Sequence, residues 1–168
     1  MKYLKYIKSI DPAAKSYLQI LFLYPCVKAL FWYRIAHFFY IIKKYFISNL
    51  IMYQVRKKTG IEIHPGCKIG KNLFIDHGVG VVIGETTVIG DNCIIYQGVV
   101  LGGTGKESGK RHPTLKNNIM VGAGAILLGN IIIEDNVKIG ANSVVLHDVP
   151  QNATVVGVKG KIIDCKKD

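Results

Sequence analysis

A six-residue period in the second half of the chain constrains the fold more than any other feature. Aliphatic residues recur every six positions over 63–75, 83–101 and 115–145, and glycine often comes next. This period fits neither an α-helix nor an alternating strand. Hexapeptide repeats build a parallel β-helix, in which three hexads form one triangular coil. Thirteen such positions predict a mainly β domain of four to five coils over 61–158.

The first sixty residues have helix signals instead of hexads. Asp11 and Pro12 suggest a helix start, Pro25 a boundary, and Gly60 a stop after three cations. We therefore expect a small N-terminal α-helical region over 1–60 with two to four helices. Residues 159–168 form a basic C-terminal tail.

The net charge of +11 belongs almost entirely to the helical region. Residues 1–60 hold eleven Lys and Arg and a single acid, whereas residues 61–168 hold eleven and ten. No nucleic-acid recognition motif accompanies the basic residues, so no nucleic-acid partner is expected. The longest uncharged stretch of residues 1–60, 16–27, is shorter than the roughly 18–20 residues of a membrane span. Contact of these helices with a membrane surface or with another subunit stays open.

The hexads are interrupted twice, by a slip at 76–81 and by an insertion at 103–113, and each break carries a histidine beside a charged residue. His77 follows Asp76, and Glu62 precedes it by fifteen residues, close to one eighteen-residue coil. A carboxylate that touches an imidazole helps it to take a proton from an alcohol. From spacing alone, a surface histidine in a turn is the simpler interpretation. The insertion lacks a full phosphate-binding signature, and we expect a mobile lid.

Two sequence blocks resemble the bacterial serine O-acetyltransferase family. They are DHGVGVVIGET at 76–86 and GGTGKESGKRHP at 102–113, and DPAAKSYLQILFLYP at 11–25 is similar to the last N-terminal helices of that family. The resemblance covers about residues 10–160. It implies a left-handed β-helix and a cytoplasmic enzyme. This enzyme would transfer acetyl from acetyl-CoA to the L-serine hydroxyl and supply O-acetylserine for cysteine biosynthesis.

The resemblance also implies roles for individual residues. His77 matches the general base, and Glu62 matches the carboxylate that orients it, commonly an aspartate in the family. The residues matching contacts to the serine ammonium are Asp11 and Asp76, and those matching contacts to its carboxylate are Arg111 and His112. Residues expected along acetyl-CoA are Gly103, Thr104, Ala123, Ala141 and Lys161. No metal is expected, because an imidazole base and a thioester suffice and no two of the four cysteines have CxxC spacing.

The flat faces of a β-helix, together with the resemblance, imply a homotrimer with sites between subunits. The tail GVKGKIIDCKKD lacks the terminal isoleucine that docks into O-acetylserine sulfhydrylase in the family, so that complex is not expected. Two alternatives remain: an acetyltransferase with a sugar or polysaccharide acceptor, and a non-catalytic binding protein. Asp11, Asp76 and Arg111 favour a zwitterionic acceptor over a sugar, and the two histidines favour catalysis.

Overall fold

Four α-helices precede fourteen short strands. The structure, a computed structural model, describes residues 2–105 and 108–157. Within these ranges, no helix is long and apolar enough to cross a bilayer. The helices are α1 (Lys2–Ile10), α2 (Tyr17–Leu23), α3 (Pro25–Ile41) and α4 (Tyr45–Thr59).

The helix boundaries follow local chemistry, with one departure from the sequence prediction. Pro25 is the first residue of α3, and Gly60 ends α4 in the left-handed conformation with φ 70°. Asp11, however, begins no helix. It follows α1, and its carboxylate accepts the Ala13 N–H at 2.8 Å in a tight turn. The next helix is capped by Ser16, whose hydroxyl accepts the Gln19 N–H at 3.1 Å, so the predicted cap at Asp11 was wrong.

The strands form three parallel sheets, the faces of a triangular prism, and the chain visits them in the order A, B, C in every coil. The fold is a left-handed parallel β-helix, which confirms the prediction. Face A consists of β1 (Glu62–Ile63), β4 (Val82–Ile83), β7 (Val100–Gly102), β10 (Ile126–Leu128) and β13 (Val144–Val145). Face B consists of β2 (Lys68–Ile69), β5 (Val88–Ile89), β8 (Thr114–Leu115) and β11 (Ile132–Ile133). Face C consists of β3 (Phe74–Ile75), β6 (Ile94–Ile95), β9 (Met120–Val121), β12 (Lys138–Ile139) and β14 (Thr154–Val155).

Strand register shows where the coils are lengthened. Val82 pairs with Val100, eighteen residues later, which is the length of one regular coil. Glu62 pairs with Val82, twenty residues later, and Val100 pairs with Ile126, twenty-six later. The two breaks in the hexads are therefore lengthened corners of an intact β-helix. The coil corners are named by the faces they join: AB (64–67, 84–87, 103–113, 129–131), BC (70–73, 90–93, 116–119, 134–137) and CA (76–81, 96–99, 122–125, 140–143).

The predicted repeat positions form the core. Each of the thirteen aliphatic residues points into the prism, and none is more than 7% exposed. Each contributes about 1.5–3 kcal/mol by leaving water. The small residues two positions earlier, including Cys67 and Cys93, are buried beneath them.

A ladder of five asparagine side chains runs along the BC corner. Each asparagine has a φ between 57° and 62°, a backbone region that non-glycine residues rarely adopt. Each of the first four side-chain amides donates to the asparagine of the next coil, over 2.9–3.3 Å. The ladder ties every coil to its neighbour outside the core. Its members are Asn72, Asn92, Asn118, Asn136 and Asn152.

The helices cover the open end of the prism. β1, β2 and β3 are the outermost strands of their sheets, so the first coil has no neighbouring strand on one side. Side chains from α1 and α3 occupy that edge. Tyr3 donates to the Leu73 carbonyl at 2.7 Å, Tyr33 to that of Cys67 at 2.6 Å, and Arg34 to that of Gly70 at 2.8 Å. This cover blocks a sheet edge that would otherwise pair with another chain.

We predict that Asn118→Gly lowers the free energy of unfolding by roughly 1–2 kcal/mol. Glycine keeps the positive φ but loses two amide hydrogen bonds, each worth about 0.5–1.5 kcal/mol. Asn72→Gly at the end of the ladder loses one such bond and should cost about half as much. Urea unfolding of both variants at one protein concentration measures the difference. Equal losses would show that the ladder contributes nothing beyond its backbone conformation.

Candidate active site

His77 lies in a strained turn at the CA corner of the first coil. Its φ is 57°, and the Gly78 N–H donates to the Asp76 carbonyl at 2.6 Å, which closes a three-residue turn around it. Except for Lys43, every other described non-glycine residue with positive φ is an asparagine. A Cβ at Gly78 would press on Ile61. The turn therefore holds an exposed imidazole off the coil, and strain of this kind is concentrated at functional sites.

Asp11 and Asp76 both act on Tyr24, the residue before α3. Tyr24, at the start of α3, donates its hydroxyl to the Asp11 carboxylate. Partial burial, the bond to Asp11 and the nearby charge of Asp76 raise the pKa of Tyr24 to about 12. Both carboxylates thus act on Tyr24, and Asp76 directly precedes His77. Carboxylates are the groups that suit a cationic ammonium.

Glu62 does not contact His77 in the described part of the chain. Its carboxylate instead accepts from Nη1 of Arg56, in the last turn of α4, at 2.9 Å. Both side chains are 48% exposed, so water screens this ion pair. The Gly80 N–H donates to the Gly60 carbonyl at 3.0 Å, so residues 60–79 make one turn of the β-helix. Glu62 and His77 both belong to that coil. The predicted carboxylate–imidazole pair stays a prediction.

The second predicted pair, Arg111 and His112, lies at the AB corner, where Glu85 meets Arg111. One oxygen of Glu85 accepts from Nη2 of Arg111, and the other accepts the Tyr40 hydroxyl at 2.8 Å. These two hydrogen bonds lower the pKa of Glu85, so it is a carboxylate at neutral pH. The Arg111 guanidinium keeps further N–H groups for another anion.

Thr86 fixes His112. The Thr86 hydroxyl lies 2.8 Å from Nδ1 of His112 and accepts the backbone N–H groups of Arg111 and His112 at 3.0 and 3.1 Å. The Thr86 backbone N–H also donates to Nδ1, which therefore carries no proton. The proton of the neutral ring is on Nε2, where it serves as a hydrogen-bond donor. A Cβ at Gly84 would collide with this ring, so only glycine fits there.

Lys110 anchors the base of the insertion. Its ammonium group donates to the carbonyls of Thr86 at 2.8 Å, of Pro113 at 3.2 Å and of His112. Lys110 to Pro113 are thus held on the coil without a ligand. The predicted lid can extend only over the remaining residues, 103–109, and there it stays a prediction.

The residues predicted along acetyl-CoA divide between the two corners. Gly103 and Thr104 begin the insertion at the AB corner. Ala123 and Ala141 lie on successive coils of the CA corner, where the Asn142 N–H donates to the Ala123 carbonyl at 2.9 Å. Lys161 lies outside the described residues. Within those residues, no group of three or more His, Cys, Asp or Glu side chains is placed to hold a metal ion.

The two halves of the predicted site are separated within one chain. Asp76 and His77 lie where the chain enters face A, whereas Arg111 and His112 lie where it leaves that face. Sequence reasoning missed four residues that hold the second half in place. The repeat register could have indicated two of them, because residues 84–87 form the AB corner one coil before the insertion and must lie beside it. The missed residues are Tyr40, Glu85, Thr86 and Lys110.

Comparisons with known proteins agree with this architecture. Residues 112–147 match a family described as bacterial transferase hexapeptide (six repeats). The serine acetyltransferase isoform 3 of Entamoeba histolytica, solved with cysteine, superposes with a TM-score of 0.94 at 42% identity, over 99% of this chain and 59% of that one. The Neisseria gonorrhoeae serine acetyltransferase, solved with serine, gives 0.88 at 42% identity, over 95% and 65%. The fold and the repeat define an acyltransferase of the hexapeptide-repeat class.

Sequence relatives narrow the class. The chain is 59% identical over 153 residues to the serine acetyltransferase of Helicobacter pylori, covering 91% of this chain and 90% of the relative. It is 58% identical to that of Synechococcus elongatus, covering 91% of this chain but only 63% of the relative. The chain belongs to the serine acetyltransferase family, which confirms the resemblance.

We predict that His112 titrates below the ordinary histidine pKa of 6.5. Burial, together with the positive charges of Arg111 and Lys110, lowers its pKa. The folded state therefore favours the neutral ring, and this part of the stability is lost as pH falls from 6.5 through the lowered value. NMR titration of the imidazole, assigned with His112→Gln, measures the midpoint. The same variant should show a weaker loss of stability at acid pH, and a midpoint at or above 6.5 would contradict the buried neutral ring.

Proposed function

We propose that this chain is a serine O-acetyltransferase. It transfers acetyl from acetyl-CoA to the L-serine hydroxyl and gives O-acetylserine, which cysteine biosynthesis consumes. The observation that carries the proposal is the pairing of two opposite binding sets with one exposed, strained histidine. Asp11 and Asp76 suit an ammonium group, and Arg111 with His112 suits a carboxylate. An amino acid is the acceptor that needs both sets, whereas a sugar needs neither.

The chemistry requires a base and a leaving group. His77 takes the proton of the serine hydroxyl as its oxygen attacks the thioester carbonyl, which forms the new C–O bond. The tetrahedral intermediate then collapses, the C–S bond breaks, and the thiolate of CoA takes the proton back from the imidazolium. A neutral His112 with its proton on Nε2 is a hydrogen-bond donor for a substrate oxygen. The strained turn keeps the His77 ring accessible to the hydroxyl.

Glu62 is proposed to orient His77 once substrate is bound. Its present partner, Arg56, lies on the exposed surface of α4, so the carboxylate can exchange partners by rotating its side chain. A carboxylate beside the imidazole would fix its tautomer and stabilise the imidazolium that forms during transfer.

Acetyl-CoA is proposed to lie along the CA corner, above His77. The glycines of this corner stack closely: a Cβ at Gly80 would be 3.6 Å from Gly98, and one at Gly98 would be 3.4 Å from Gly124. No side chain at these three positions blocks a path along the coils. Ala123 and Ala141 add only methyl groups to it. The thioester end of an extended ligand would thus reach the imidazole.

A homotrimer is proposed because one chain separates the two halves of the site. Face A, which lies between them, presents apolar side chains outward, and Val144 is 60% exposed. Packing face A of one subunit against the next would cover this surface and would bring the CA corner of one chain to the AB corner of another. A cytoplasmic location is proposed as well, since acetyl-CoA is made there. The three described cysteines are free thiols, as reducing conditions favour.

The proposed activity is tested by thiol release from acetyl-CoA with L-serine, compared with other amino acids and with sugars. His77→Ala should lower kcat by at least about 10²-fold, because general-base catalysis contributes on that scale. Glu62→Gln should cost less, since the base remains. His147, an exposed histidine outside both corners, provides the matched control as His147→Ala. Turnover with a sugar and none with serine would reject serine as the acceptor. An active His77→Ala variant would reject His77 as the general base.

The shared site is tested by complementation between inactive subunits. His77→Ala and Arg111→Ala should each be nearly inactive alone. After co-refolding at equal amounts, each mixed trimer would have one site in three that combines an intact His77 with an intact Arg111 from the neighbour, which is about one quarter of all sites. Activity should therefore reappear, with sedimentation showing three times the mass of one chain. No recovery in a proven mixed trimer, or an active monomer, would place the whole site in one subunit.

A further inference from the structure

A relay of polar side chains joins helix α3 to the AB corner. Tyr40, in the last turn of α3, donates its hydroxyl to Oε1 of Glu85 at 2.8 Å, and Oε2 of Glu85 accepts from Arg111. The connection spans 45 residues of sequence between Tyr40 and Glu85 and 26 between Glu85 and Arg111. Neither Tyr40 nor Glu85 has a role in the proposed chemistry.

Both ends of the relay are held by packing. The Tyr40 ring is edge-on to His64, with centroids 5.7 Å apart, and edge-on to Tyr45 at 5.1 Å. A Cβ at Gly66 would press on the Tyr40 ring, so the ring sits directly against the first coil. The Arg111 backbone N–H is bound by Thr86 at 3.0 Å. The Glu85 carboxylate therefore bridges two fixed points.

The Arg111 guanidinium gains its orientation from this bridge. A free arginine side chain loses much rotamer entropy when it binds a ligand, and a fixed partner can remove that freedom before the ligand arrives. The side chains of Arg111 and Glu85 are 29% and 31% exposed, so the pair is only partly screened by water. Nη2 donates to Glu85 and Nη1 makes a long 3.5 Å contact with the Gly109 carbonyl, so further N–H groups of the guanidinium remain for a second carboxylate.

We propose that Glu85 and Tyr40 are positioning residues that hold Arg111 ready for the substrate carboxylate. Helix α3 thereby sets the affinity for serine at Arg111 in the β-helix, which lies 26 residues beyond Glu85 and is remote from Tyr40 in sequence. This inference rests on the proposed function. It assigns to α3 a role in substrate binding besides its cover of the first coil.

The test compares the KM for serine, the KM for acetyl-CoA and kcat in Tyr40→Phe and Glu85→Ala. Tyr40→Phe keeps the packed ring and removes only its hydrogen bond, so the KM for serine should rise about 3- to 10-fold. Glu85→Ala should raise it further, roughly 10- to 30-fold, because the charge-assisted bond is lost too. The KM for acetyl-CoA should stay within about twofold of the wild-type value, since a positioning effect at Arg111 is local.

Two further variants separate positioning from charge and from packing. Glu85→Gln keeps an oxygen acceptor for Arg111 and removes the negative charge, so it should restore most of the affinity that Glu85→Ala loses. Tyr45 is the aromatic neighbour of Tyr40, and the Tyr45 hydroxyl makes no hydrogen bond among the described residues. Tyr45→Phe should therefore leave all three constants unchanged. Melting temperatures identify any variant that is merely unfolded.

A double-mutant cycle decides whether the effect passes through Arg111. Adding Glu85→Ala to Arg111→Ala should lower the residual kcat/KM for serine no further. Additive effects, or equal rises in both KM values, would overturn the proposal. NMR of the Arg111 Nε–H group gives a readout without turnover: its signal should sharpen in the wild type and broaden in Tyr40→Phe. A wild-type protein inactive with serine would reject the proposed function, whereas an Arg111 signal unchanged by Tyr40→Phe would reject the positioning.

Discussion

The open edge of the first coil governs this structure. Each inner strand of a parallel sheet bonds to a neighbour on both sides, but β1, β2 and β3 have no strand before them, so part of their backbone faces away from the stack. A buried carbonyl without a donor costs about 1–3 kcal/mol, and an exposed edge recruits foreign strands. The tyrosine hydroxyls and the guanidinium of α1 and α3 supply the missing donors. The β-helix therefore needs its helical cover, which explains why two compositionally different regions form one unit.

The same helices also contact polar residues of the candidate site in the first two coils. α3 begins beside Asp11 and Asp76, through Tyr24, and ends beside Glu85, through Tyr40. One helix thus spans the distance between the two lengthened corners. The polar groups of the candidate site lie toward the covered end of the prism. Farther along the chain the CA corners are short, and they carry glycine, alanine, asparagine and serine.

The sequence was most informative where one residue type repeats at one spacing. The thirteen aliphatic positions predicted the core, the strands and both breaks, because burial inside a narrow prism selects the same side chain in every hexad. The asparagine ladder went unnoticed, although it is also periodic, because it depends on backbone φ and on amide bonds between coils. Tyr40 and Arg56 could not be found in this way. Their partners are fixed by how the helices pack on the coil, and no period relates the two regions.

The lengthened corners show how such a fold can change without being rebuilt. Val100 pairs with Ile126 across an eight-residue insertion, yet the pairs before and after it keep the same register. The entropic cost of a longer corner rises only by about 0.6 kcal/mol for each doubling of its length. Each coil interacts only with its neighbours, so an insertion does not disturb distant coils. Selection can thus alter a corner to suit another acceptor while the stacked strands and the aliphatic core of the coils stay unchanged.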